Sequence, residues 1–139
     1  MRLLRVVLCT LCLGVTASCS EMIERMAPAE ANRFGHAYIA ALHDEGVDGV
    51  RDLTTPQAVA LDGFVSDIRQ MQAELPPGPL ETVDLEAFEV SRSSGSPPTT
   101  RLRYTVRNGT AAAVVELWLE EVDGRLAVDS VWVGRLGSE

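Results

Sequence analysis

The sequence predicts an α+β domain in which N-terminal helices pack on a curved four-stranded antiparallel sheet, and three observations carry that expectation. Apolar residues recur at helical spacing as far as Leu75 and alternate at strand spacing from Val83 onward. The run Pro76-Pro77-Gly78-Pro79 separates the two regimes, because proline neither continues a helix nor donates to a ladder. Two hairpin dipeptides, Asn108-Gly109 and Asp123-Gly124, punctuate the second half. Helices first and strands afterwards make a segregated α+β architecture rather than an alternating parallel one.

Residues Pro28 to His43 read as the first helix, with Phe34, Ala37, Tyr38, Ala41 and Leu42 forming its apolar stripe. Pro28 suits its first turn and Gly46 its stop. A brief helical turn is expected at Val47 to Leu53. Thr55-Pro56 then has the form of a cap followed by proline at the first helical position. The helix it opens places Leu61, Phe64, Val65, Ile68, Met71 and Leu75 on one side.

In the first strand Val83 and Leu85 differ in parity from Phe88 and Val90, which predicts a bulge near Ala87. Ser93 to Pro98 form a polar loop. A two-residue turn at Asn108-Gly109 pairs Arg107 with Thr110, Tyr104 with Ala113, Leu102 with Val115 and Arg101 with Glu116. The Asp123-Gly124 turn pairs Leu119 with Val128 and Val115 with Trp132. In this register Tyr38, Tyr104, Ser130 and Trp132 gather on the inner face as a candidate pocket. Val114, Trp118, Val131 and Val133 lie outside, an apolar patch that a helix, a second chain or a ligand would cover.

The first eighteen residues read differently. Arg2 and Arg5 precede an apolar stretch from Val6 to Val15 that is too short to span a bilayer. It ends in Val15-Thr16-Ala17-Ser18-Cys19, which resembles the lipobox cut by lipoprotein signal peptidase, although Thr16 stands where leucine is preferred. The resemblance implies cleavage before Cys19 and lipid, palmitate included, on its thiol. An ordinary signal peptide cut near Ala17 or Ser18 is the competing reading. Cys9 and Cys12 fall in the leader, so Cys19 is the lone cysteine of the mature chain, a liability in an oxidising compartment unless modified. The expected organisation is a signal peptide over residues 1–18, a lipidated tether over 19–27 and one domain over 28–139. Ser20 after the cysteine, by resemblance to sorted lipoproteins, favours the outer membrane facing the periplasm.

Removing the leader leaves ten arginines against twenty acidic residues. So acidic a body is repelled by phosphate backbones and anionic lipid heads, and no nucleic-acid partner is expected. Membrane affinity then falls to the anchor, each buried methylene adding roughly 0.8 kcal/mol.

The element order, Phe34-x-x-Ala37-Tyr38-x-x-Ala41-Leu42 before an acidic-glycine turn, and the ending Asp123-Gly124-Arg125-Leu126-Ala127-Val128 are similar to the nuclear transport factor 2-like (cystatin-like) superfamily. More narrowly, the chain resembles small bacterial lipoproteins that carry such a domain. The resemblance covers about Pro28 to Leu136 and implies a cone of helices on a curved sheet. It does not choose an activity, since isomerases, dehydratases, adaptors and binding modules share the fold.

Chemistry-bearing motifs are sparse. His36 and His43, the two histidines, lie seven apart on the expected helix, on its solvent side, and no third ligand completes a metal set. Arg101, Arg103 and Arg107 make a basic stripe that cross-strand glutamates such as Glu116 would balance. No catalytic constellation, metal site or cofactor motif is expected. The reading is therefore a membrane-anchored envelope lipoprotein acting as a non-catalytic binding or interaction module, with a protein partner or homodimer on the outer sheet face. The alternatives are a small-pocket enzyme of isomerase or hydrolase type and an accessory part of an envelope assembly.

Overall fold

The computed structural model describes residues 22–137. The signal-peptide and Cys19 expectations lie outside those residues. Among the described residues no helix is long and apolar enough to cross a membrane.

Helix α1 (Ala29–Glu45) starts at Pro28, which stands just outside it as the N-cap. Its buried stripe is Ala31, Gly35, Tyr38, Ile39 and Leu42, rotated from the expected one toward Ile39. Ala37 is exposed, while Phe34 and Ala41 are half-buried. Gly35 explains the rotation: a Cβ there would overlap the Tyr104 hydroxyl, so its absence lets the helix backbone settle onto the tyrosine. Gly46 ends α1 with a φ of 64° and gives its N–H to Ala41 O and Leu42 O. The turn α2 (Val47–Val50) runs into a 3-10 turn at Arg51–Leu53, as expected.

Thr55 caps α3 (Pro56–Val59), its Oγ1 accepting from the Ala58 N–H at 3.3 Å. The single helix expected from here to Leu75 is instead two. The chain turns at residues 60–63 and resumes as α4 (Phe64–Glu74). Leu61, expected on the buried stripe, is 66% exposed at this corner. Gly63 in this segment is a poor helix former. Phe64 and Ile68 reach the core only after the turn.

Four strands follow: β1 (Thr82–Ser91), β2 (Thr99–Asn108), β3 (Ala111–Val122) and β4 (Arg125–Leu136). They form one antiparallel meander in the order β1-β2-β3-β4, a curved open sheet with the helices N-terminal to it. The bulge expected near Ala87 is present, the register shifting between Leu85 and Ala87.

Two registers differ from expectation. Between β2 and β3 the loop is Gly109-Thr110, and Asn108 pairs with Ala111. Leu102 therefore meets Leu117 and Tyr104 meets Val115. Gly109 has a φ of 59° and Thr110 no positive φ, which suits a turn needing a left-handed residue at its first position alone. The Asn108 amide donates to Pro77 O, and the Gly109 N–H donates to Glu81 Oε2 at 3.1 Å. Those contacts hold Asn108 in the ladder. A slip of two residues keeps every side chain on its expected face.

The β3–β4 register begins as expected, with Leu119 opposite Val128, and then shifts. Asp129 is the extra residue, so Trp118 meets Ser130, Glu116 meets Trp132 and Val115 meets Val133. One inserted residue exchanges faces for everything beyond it. Val131 and Val133 turn inward to the core, contrary to expectation, and Trp132 turns outward, 49% exposed.

The core lies between α1, α4 and the inner sheet face, built on Tyr38, Ile39, Leu42, Ile68, Leu102, Tyr104, Leu117 and Val128. It also extends N-terminal to Pro28. Residues 22–26 are helical, Ile23 packs against the core and Ala27 is buried, so the packed body includes part of the expected tether.

Candidate functional site

The helix corner and the β4 bulge face each other across a cleft of about 170 Å³. Ala58, Leu61, Phe64, Ile68 and Met71 line its helical wall, and Val128 and Val131 its strand wall. Thr54, Asp67, Asp129 and Ser130 add polar edges, and Tyr38 borders it from α1.

Local bonds build this shape. The Thr55 N–H donates to Val128 O at 2.9 Å, and Thr54 bridges Val128 as a single parallel rung. Thr55 Oγ1 donates to Asp129 Oδ1 at 3.2 Å. The linker between the 3-10 turn and α3 is thereby stitched to the bulge. Phe64 of the helical wall also meets the Arg51 guanidinium, 5.6 Å from its ring centroid.

Tyr38 is the unusual member. It is fully buried, and its hydroxyl is the one buried side-chain polar atom among the described residues without a hydrogen-bond partner. The neighbouring Thr54 Oγ1 donates to Val50 O at 2.6 Å, which leaves its lone pairs open to other donors. Burial pushes the Tyr38 phenol up to about 12, and a side-chain hydrogen-bonding interaction with Thr54 pulls the other way, so the contact with Thr54 lies at the margin of a hydrogen bond. A buried hydroxyl left unbonded costs roughly 1–3 kcal/mol, so the arrangement calls for an explanation.

Of the other expected pocket residues, only Ser130 reaches the cleft, exposed at its rim. Tyr104 lies deeper under α1, its hydroxyl donating to Asn32 Oδ1 at 2.8 Å. The His36 ring meets Tyr104 edge-on with centroids 5.3 Å apart. Burial, with the Glu24 carboxylate adding to it, raises the Tyr104 phenol well above its ordinary range. Trp132 is on the opposite face of the sheet. The expected quartet is therefore not brought together, because the Asp129 bulge exchanged the faces.

The expected outer patch is likewise redistributed. Val114 and Trp118 remain outside, while Val131 and Val133 have left it. Val114 is only 5% exposed, because the molecule's own side chains cover this face. The Arg101 guanidinium stacks 5.3 Å from the Trp118 ring centroid, and the Trp132 indole lies over Gly134, leaving no room for a Cβ there. Arg101 Nη2 donates to both Glu116 carboxylate oxygens at 3.0 Å, and Arg103 Nη1 reaches Oε1 at 3.4 Å. The basic stripe is thus paired as expected at two of its three arginines.

Catalytic chemistry finds few groups in the cleft. Asp67 and Asp129 are exposed at its edge. Glu116, the buried carboxylate among the described residues, sits on the far sheet face between arginines. His43 is half-buried rather than solvent-facing: Nδ1 lies 2.7 Å from Asp44 Oδ1 and Nε2 lies 3.1 Å from Pro76 O. It ties the end of α1 to the proline run. No cluster of metal-ligating side chains occurs among the described residues.

Sequence reasoning missed Thr54, Phe64, Ile68, Met71 and Asp129 as cleft residues. Apolar spacing placed three of them in a core, which is also what a cleft wall looks like in sequence. Compared with known proteins, the chain matches no protein-family model and no curated protein.

Proposed function

We propose that this protein is a membrane-anchored envelope lipoprotein, lipidated on Cys19, whose domain is a non-catalytic binding module. Its ligand is a small, mostly apolar molecule that carries a hydrogen-bond acceptor. The observation that carries the reading is an apolar cleft lined in part by Tyr38, a buried phenol whose hydroxyl lacks a hydrogen bond of normal geometry. A ligand carbonyl or ether beside Tyr38 would accept that hydrogen bond and relieve the cost of leaving it unmade. Size fits a single ring, since an apolar cavity of about 150 Å³ holds benzene. The shape and chemistry match small-molecule sites in general: apolar walls with few convergent polar groups.

The cellular placement rests on the Arg2, Arg5 and Val6–Val15 leader and on the lipobox-like Ser18-Cys19. Helices ahead of a curved four-stranded meander support the resemblance to nuclear transport factor 2-like domains. With Ser20 after the anchor, the outer membrane facing the periplasm is the proposed site.

Calorimetric titration with cyclohexanone and with benzene tests the binding reading. Both ligands should bind the wild-type protein, and Tyr38→Phe should weaken cyclohexanone about tenfold while leaving benzene unchanged. Equal affinity of wild type and variant for cyclohexanone, or no binding of either ligand, would count against it.

A further inference from the structure

Resting on the reading that Cys19 carries lipid, we infer that the exposed face of the helical turn at residues 22–26 docks into the lipid headgroup layer through Met22 and Met26. These residues are four apart, so they share one face of the turn. They are 57% and 69% exposed, among the largest apolar exposures on the molecule. The adjoining face is fixed: Ile23 packs against the core, Ala27 is buried, and the Ala27 N–H closes the turn on Ile23 O at 3.0 Å. The methionines are therefore carried on the folded body.

Chain length names the occupant. Four Cα steps separate Cys19 from Ile23, a reach of at most roughly 14 Å. An amphipathic turn at an interface buries its apolar face about 5–10 Å deep, so an anchor in the bilayer brings the methionines to that depth. Charge agrees with this placement. Residues 19–33 hold Glu21, Glu24 and Glu30 against Arg25 and Arg33, one net negative charge at the anchored end of a far more acidic chain. That end feels much less of the repulsion the rest of the body would meet near an anionic membrane. Docked this way, the domain is held in one orientation and does not swing freely on its tether.

The test uses the full chain, matured in a diderm bacterium fed labelled palmitate and reconstituted in phosphatidylcholine–phosphatidylethanolamine vesicles. With Cys19 lipidated, a nitroxide can be placed on a single introduced thiol, Met26→Cys or, in the exposed Ser93–Pro98 loop, Ser94→Cys. Power saturation should show position 26 severalfold more accessible to dissolved oxygen relative to a water-soluble nickel chelate than position 94. Palmitate incorporation with equal ratios at both positions would overturn the docking and leave the anchor standing. Absence of palmitate would overturn the anchor and the docking together.

Discussion

Thr55 and Asp129, seventy-four positions apart, share a hydrogen bond of 3.2 Å at the point where β4 bulges. That contact joins the loop before α3 to the residue that reverses the faces of the last strand. Thr55 also caps α3 and is fully buried. Thr55→Ala should therefore destabilise by about 1–2 kcal/mol, the usual cost of a lost cap. Asp129→Ala should cost less, since its carboxylate is exposed. Urea unfolding of both single variants and the double variant should give a coupling of about 0.5–1 kcal/mol. Strict additivity would show that the bond does not help fix the bulge.

Gly35 gives a second prediction. Gly35→Ala brings a Cβ into the Tyr104 ring, with Cζ at 2.9 Å, and should cost about 1–3 kcal/mol as overpacking. Tyr104→Phe removes the hydroxyl that approaches nearest. The double variant should therefore recover part of the loss, measured as a smaller drop in urea midpoint than the sum of the two single changes.

The tyrosines predict an alkaline transition. Both phenols, the two in the chain, are raised by burial, Tyr38 from 10.0 to about 12. The folded state thus favours the protonated phenol more than the unfolded state does. This contribution is fully present below pH 10 and is lost as pH rises from there toward 12, by up to roughly 1.4 kcal/mol per pH unit for each group. Ultraviolet titration should show almost no tyrosinate near pH 10 and a cooperative appearance on unfolding. Ordinary titration of either residue in the folded protein would contradict its burial.

Tyr38→Phe should leave the unliganded protein as stable as the wild type or more stable by up to about 1 kcal/mol, because it deletes a buried hydroxyl with no hydrogen bond of normal geometry. Thermal unfolding without ligand checks this. A large loss would mean that the hydroxyl has a partner inside the protein.

Much of the architecture was legible in the sequence because local chemistry determined it. Gly46, Thr55-Pro56, the proline run and Asp123-Gly124 stop, cap or turn the chain by their own conformational limits. The misplaced parts depend on distant residues. Asn108 stays in the ladder through Pro77, thirty-one positions away, and Asp129 bulges against Thr55. The bulge carried most of the error in the candidate site: it sent Trp132 outward, drew Val131 and Val133 inward, and opened the cleft between β4 and the helix corner. Tyr38 was singled out as a polar-capable group on the apolar inner face, but the poor bonding of its hydroxyl is visible only once every neighbour is placed.

The most direct measurement of the central claim is the carbon resonance of the phenol ring in protein labelled at the tyrosine Cζ. With two tyrosines, the spectrum resolves the cleft residue from the one bonded to Asn32. Saturating cyclohexanone should shift the Tyr38 signal and leave Tyr104 unmoved. A Tyr38 resonance indifferent to ligand, or equal shifts at both rings, would contradict a site built around the buried Tyr38 hydroxyl.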